Sequence, residues 1–140
     1  MLLDFKKYGV TKIISPLDVH RLVRRAIVDM EPFDQDKESF FAIGLTRAST
    51  IKYFDLVAMG GLKSITVEPG GVFRHAVLHA AASIMISHNH PSGRVKPSKQ
   101  DIETTKTLYT AAKILEIPLI DHVIVGGDDL FSFANEGMLW

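Results

Sequence analysis

The chain has 140 residues, 46% of them hydrophobic, enough to bury one core but not two. Sixteen basic and sixteen acidic side chains leave a formal net charge of zero, so no global field draws it to nucleic acid or to an anionic membrane. The lack of any cysteine removes disulfides, thiolate nucleophiles and every cysteine-based metal site, the Pro-Cys-x-x-Cys zinc deaminases included.

The opening Met1-Leu2-Leu3-Asp4-Phe5-Lys6-Lys7 is too short and too charged for a signal peptide. No run of about 18 apolar residues follows it, so a cytoplasmic protein with no membrane partner is expected. Ser15-Pro16 opens a helix as N-cap and first residue, with Val19, Leu22, Val23, Ala26, Ile27 and Met30 as its apolar side. Arg21, Arg24 and Arg25 in the same stretch read as its solvated face. Glu31 to Asp36 is a polar, proline-containing connection. Phe40 to Leu45 then reads as a buried strand, and Ile51 to Ala58 as its hairpin partner across a turn at Arg47-Ala48-Ser49. Gly70-Gly71 marks the entry to a helix through Val72, Ala76, Val77 and Ala80.

Ala82 to Ser87 is a third strand, mostly apolar, closed downstream by Pro91 and Gly93. Pro97-Ser98 starts a further helix, with Ser98 as N-cap and Ile102, Thr105, Leu108, Tyr109, Ala112, Ile114 and Leu115 along its apolar side. Leu119 to Val125 supplies the last strand. Helices and strands interleave, which predicts an α/β fold, a mixed sheet flanked by helices, in a single domain over residues 1–140. There is no internal repeat, coiled coil or low-complexity tract.

The chemistry concentrates in His88-Asn89-His90 and the segment that follows. Residues two apart on an extended chain project to the same side, so both imidazoles can reach one point while Asn89 faces away. Asp101 falls on the first turn of the helix begun by Ser98, where the helix dipole favours a carboxylate. Two imidazoles and one carboxylate leave a zinc ion one open position, as in catalytic sites. Each part also has an ordinary structural reading: Ser98 and Asp101 are spaced as a capping box, and Pro91-Ser92-Gly93 is turn chemistry. Arg94, Lys96 and Lys99 border this loop and can serve either a substrate anion or simple solubility.

Taken together, His88, His90, Ser98 and Asp101 fill all four positions of His-x-His, seven residues, Ser, two residues, Asp, and the stretch resembles the JAMM metallopeptidase motif. His88-Asn89-His90-Pro91-Ser92-Gly93 followed by Pro97-Ser98 is similar to the form found in the bacterial RadC-like JAB-domain family. Val72-Phe73-Arg74-His75-Ala76 and Ile117-Pro118-Leu119-Ile120-Asp121-His122-Val123-Ile124-Val125-Gly126 extend the likeness from about Glu38 onward. Position 94 is Arg where that family often has Asp, a loop position that bears on substrate rather than on metal.

The resemblance implies a JAB/MPN-like (cytidine-deaminase-like) architecture and a zinc cofactor on His88, His90 and Asp101. It also implies a Glu at the start of an earlier strand as proton shuttle, a place that Glu38 fits best, with Asp55 and Glu68 as the other candidates. Ser98 would then assist as a donor to the oxyanion. The implied activity is zinc-dependent hydrolysis of peptide or isopeptide bonds, with a peptide or protein as partner. Two alternatives stand beside it: a zinc-bound but non-catalytic interaction module, and a DNA-repair accessory of the RadC-like family. Larger members of the family carry an N-terminal helix-hairpin-helix region. Only a short segment precedes the first helix here, and with zero net charge this gives nucleic-acid contact little support. His20, His75 and His79 fall in helical stretches as surface or core residues, and His122 packs on an apolar strand with a role behind the ligands open.

Overall fold

The computed structural model describes residues 1–60 and 66–140. The described chain runs β1 (Leu2–Leu3), a short 3-10 turn (Phe5–Tyr8), α1 (Pro16–Val28), α2 (Pro32–Gln35), β2 (Ser39–Leu45), β3 (Ile51–Met59) and α3 (Pro69–Leu78). It continues with β4 (Ser83–Asn89), α4 (Lys99–Leu115), β5 (Leu119–Gly126) and β6 (Asp129–Ser132). The six strands form one mixed sheet in the order β1-β3-β2-β4-β5-β6. All neighbours are antiparallel except β4 and β5, which run parallel because α4 returns the chain between them. The α/β architecture read from the sequence, a mixed sheet flanked by helices, is the one observed.

Every residue of β2 is buried, which accounts for its uninterrupted apolar run: helices cover it on both sides. On one face, Phe41, Ile43, Leu45, Phe54, Met85, Val123 and Val125 pack against Val19, Leu22, Val23, Ala26 and Ile27 of α1. On the other, Phe40, Ala42, Tyr53, Ile84 and Ile86 meet Val72, Phe73 and Ala76 of α3 and Leu108 and Ala112 of α4. The helix starts follow local chemistry. Ser15 and Asp18 close a capping box on α1, and Ser98 and Asp101 close another on α4.

Besides the 3-10 turn at Phe5–Tyr8, the structure adds three pieces to the elements expected. The segment Glu31 to Asp36 contains one helical turn, α2, begun by Pro32. β1 pairs with β3 through Leu2↔Asp55 and Leu3↔Phe54, and β6 pairs with β5 from Gly126↔Asp129 onward. Both added strands are too short to show a period of their own. Ile114 and Leu115, expected on the buried side of α4, are 77% and 44% exposed; Ile114 falls off the face that buries Thr105, Leu108 and Ala112. Ala80 lies outside α3, which ends at Leu78. Among the described residues no helix is long and apolar enough to cross a membrane.

Candidate metal centre

The site lies at the carboxyl end of β4, where three separate elements meet. β2 and β4 are antiparallel neighbours with Phe40 opposite His88, so the residue entering β2 arrives beside the residue leaving β4. That residue is Glu38, whose Oε1 is 3.7 Å from His88 Nε2. α4 starts just beyond the loop and brings Asp101 over the strand end: Oδ1 is 3.2 Å from His88 Nε2 and Oδ2 is 3.1 Å from His90 Nε2. The two Nε2 atoms are themselves 3.0 Å apart. One ligand atom from each of Glu38, His88, His90 and Asp101 lies within 4.8 Å of the other three, a cluster that could hold a metal ion.

The chemistry of this donor set fits a cation. His90 Nδ1 is 2.8 Å from the backbone carbonyl of Arg94, which can only accept, so the ring carries its proton there and turns a bare lone pair inward. Facing it are two carboxylates, acceptors when ionised, and the second imidazole. The capping box orients Asp101, since its Oδ2 accepts from the Ser98 N–H at 2.9 Å while the Asp101 N–H donates to Ser98 Oγ at 3.0 Å. Burial pushes the Asp101 carboxyl up, yet the two imidazoles beside it, His88 and His90, and the hydrogen bond from the Ser98 N–H outweigh it and hold the group well below the usual carboxylate range. The His90 pKa is drawn upward against the effect of burial, chiefly because the protonated ring could donate from Nε2 to Asp101. The centre opens into a cleft walled by Phe40, Val67, Gln100 and Thr104.

Two residues behind the cluster carry more of it than the sequence reading gave them. Asn89 faces the opposite side of the sheet, as expected, but there its Oδ1 accepts from the Ser39 N–H at 2.7 Å and its Nδ2 donates to the Lys37 carbonyl at 3.1 Å. It thereby clamps both chain neighbours of Glu38. His122 is fully buried, with Nε2 2.7 Å from His88 Nδ1 and Nδ1 2.6 Å from Thr105 Oγ1. Phe40 stacks on His88 at 5.8 Å between centroids and Phe133 on His122 at 4.8 Å, which fixes both rings laterally. A histidine inside an otherwise apolar strand was the available signal for the second, while the first depends on backbone partners some fifty residues away.

The remaining candidates are placed elsewhere. Asp55 is buried in β3 and holds the amino group of Met1 at 2.8 Å, and Glu68 is the exposed N-cap of α3. Neither belongs to the cluster. Ser98 caps α4 at the rim, its hydroxyl oxygen accepting a bond so that its own proton stays free to donate. His20 binds the Gly127 carbonyl at 2.8 Å, and His75 and His79 pack against Tyr53. Arg21, Arg24 and Arg25 are exposed on α1, the solvated face expected, with Arg21 paired to Asp18 and Arg25 donating to the Tyr8 carbonyl at 2.6 Å. Arg94 orients His90 through its backbone, a role its side chain does not affect.

Comparison with known proteins bears on the same stretch. The RadC-like JAB domain profile matches residues 13–138, from before α1 to the end of the fold. The chain belongs to this family. Among its relatives, a UPF0758 protein of Rubrobacter xylanophilus is 39% identical over 131 residues, covering 94% of this chain and 55% of that protein. A UPF0758 protein of Clostridium acetobutylicum is 36% identical over 135 residues, covering 96% of this chain and 57% of its own length. A third, from Methanosarcina acetivorans, is 36% identical over 128 residues, covering 91% and 54%. This RadC-like domain thus spans about half the length of the curated relatives it matches.

Proposed function

We propose that this RadC-like domain is a zinc-dependent hydrolase that cleaves peptide or isopeptide amide bonds in a cytoplasmic peptide or protein substrate. The observation that carries the reading is the convergence of Glu38, His88, His90 and Asp101 on one point at the mouth of a cleft. Three of these are the nitrogen and oxygen donors of a catalytic zinc site, and the fourth is a carboxylate held beside them. Zinc, when bound, would supply a Lewis acid and lower the pKa of a water toward ~7. His88, His90 and Asp101 would hold the ion. Glu38 takes the proton of the attacking water and returns it to the departing amine, a dual use that suits a carboxylate at the edge of solvent. The free hydroxyl proton of Ser98 is available to the oxyanion that develops on the carbonyl.

Zinc analysis of the purified protein, with a peptide library and single-stranded DNA assayed in parallel, tests the reading. About one zinc per chain and turnover of peptides are expected, with zinc lost from His88→Ala and Asp101→Asn. Glu38→Gln keeps the volume but cannot accept a proton, so zinc content stays near wild type while hydrolysis falls about a hundredfold or more. Zinc binding with no turnover would leave an interaction module instead, and cleavage of DNA alone would move the assignment to DNA processing.

A further inference from the structure

Three short contacts run in series behind the cluster. Thr105 Oγ1 lies 2.6 Å from the Asp101 carbonyl oxygen and 2.6 Å from His122 Nδ1, and His122 Nε2 lies 2.7 Å from His88 Nδ1. Thr105 and His122 are fully buried and His88 is 1% exposed, so no solvent competes for any of these atoms. A hydroxyl has one proton to give. A carbonyl can only accept, and two oxygens 2.6 Å apart without a proton between them repel, so the Thr105 proton goes to Asp101. Thr105 must then accept from His122, which places the proton of that ring on Nδ1. A neutral imidazole carries one proton, so with Nδ1 protonated the Nε2 of the fully buried His122 is a lone pair. That lone pair accepts the Nδ1 proton of His88. The last consequence is that His88 Nε2, the atom aimed at Asp101 and His90, is bare.

We propose that Thr105 and His122 are positioning residues that fix the tautomer of His88, so that Nε2 faces the cluster as a ligand lone pair. The inference rests on the metal reading for its purpose but not for its geometry. Every direction in the series is set by the one group that cannot donate, the Asp101 carbonyl, and Asp101 also supplies a carboxylate to the cluster. One helical turn therefore presents one donor atom and dictates, through two side chains, the proton state of another. Remove the Thr105 hydroxyl and the His122 Nδ1–H is buried without a partner. The ring is then better served by moving its proton to Nε2, which obliges His88 to carry its own proton on Nε2 and closes the ligand atom.

Nitrogen-15 NMR of the histidine rings in chelator-treated wild type, well above the ordinary histidine pKa, reads the tautomers directly. Both His88 and His122 are expected as Nδ1–H. Zinc affinity, measured by competition with a chromophoric chelator, is expected to fall 10–100-fold in Thr105→Val and in His122→Phe. It should return toward wild type in Thr105→Ser, which restores the hydroxyl, and in His122→Gln, whose amide can accept from His88 and donate to Thr105. An Nε2–H tautomer on either ring of the wild type would overturn the proposal, as would wild-type zinc affinity in Thr105→Val. Should Thr105→Val fail to fold, the wild-type tautomers and Thr105→Ser still decide it. A wild type that shows both Nδ1–H rings and takes no zinc upholds the relay and overturns the metal reading alone.

Discussion

Asn89 stands between two candidate ligands and touches neither of their functional atoms. Its amide instead bonds the Ser39 N–H and the Lys37 carbonyl, so the two residues flanking Glu38 are held from the far side of the sheet. Asn89→Leu should keep zinc content, because the ligands lie on the other face, while hydrolysis drops as Glu38 loses its support. It also leaves a buried N–H unpaired, at a cost of about 1–3 kcal/mol in denaturant unfolding. Unchanged stability in that variant would show the clamp to be idle. Ser98→Ala separates two other effects. Loss of the cap should cost ~1 kcal/mol of stability, and loss of an oxyanion donor should slow hydrolysis by less than Glu38→Gln does. At this scale spacing gave the places of His88, His90, Ser98 and Asp101, at an alternating strand end and on a capped helix, while joining them with Glu38 into one centre leaned on the family resemblance. Asn89 and His122 were not legible in their roles, because those depend on register between strands distant in the sequence.

The elements that meet at the site were read from their apolar periods, and α1, β2, β3, β4, α4 and β5 all appear where those periods lie. What periodicity could not convey is adjacency. Glu38 reaches His88 only because β2 and β4 pair antiparallel with Phe40 opposite His88, a contact between residues fifty apart. The last residue of β5 shows how closely these elements are fitted. A Cβ at Gly126 would lie 2.6 Å from the Gly93 carbonyl oxygen and 2.9 Å from Val95 Cγ1, so the loop holding His90 rests directly on bare backbone. Gly126→Ala must lift that loop, and with it the Arg94 carbonyl that orients His90. The expected outcome is a loss of about 1–3 kcal/mol in stability together with weakened zinc binding. Calorimetric titration with zinc and a urea melt measure the two, and a variant that matches wild type in both would mean the loop is not seated as described.

For the whole molecule, acid–base behaviour has one contribution of unusual sign. Asp121 is buried on the α1 side and accepts from the His122 N–H at 2.7 Å, Ser132 Oγ at 2.5 Å and the Ala134 N–H at 2.9 Å, tying β5 to the chain's end. Burial raises its pKa despite those bonds. The folded state therefore holds the proton to higher pH than the unfolded chain does. The stability linked to this group is present below about 3.9, the unfolded value, and is lost as pH rises through the folded one. Relative to Asp121→Asn, wild type should lose stability across that window, read as unfolding midpoints against pH; a pH-independent difference would contradict the assignment. Zinc should act on the entire fold as well: at a free concentration a hundred times Kd it adds about 2.7 kcal/mol, a rise in Tm that chelation reverses. The shared carboxylate of Asp101 has a further consequence, since Oδ2 secures the first turn of α4 while Oδ1 looks toward His88. A designer grafting this centre onto another scaffold could not transplant the donor atoms one at a time. The portable unit is the strand end, its loop and the opening turn of the helix, carried over as a single piece.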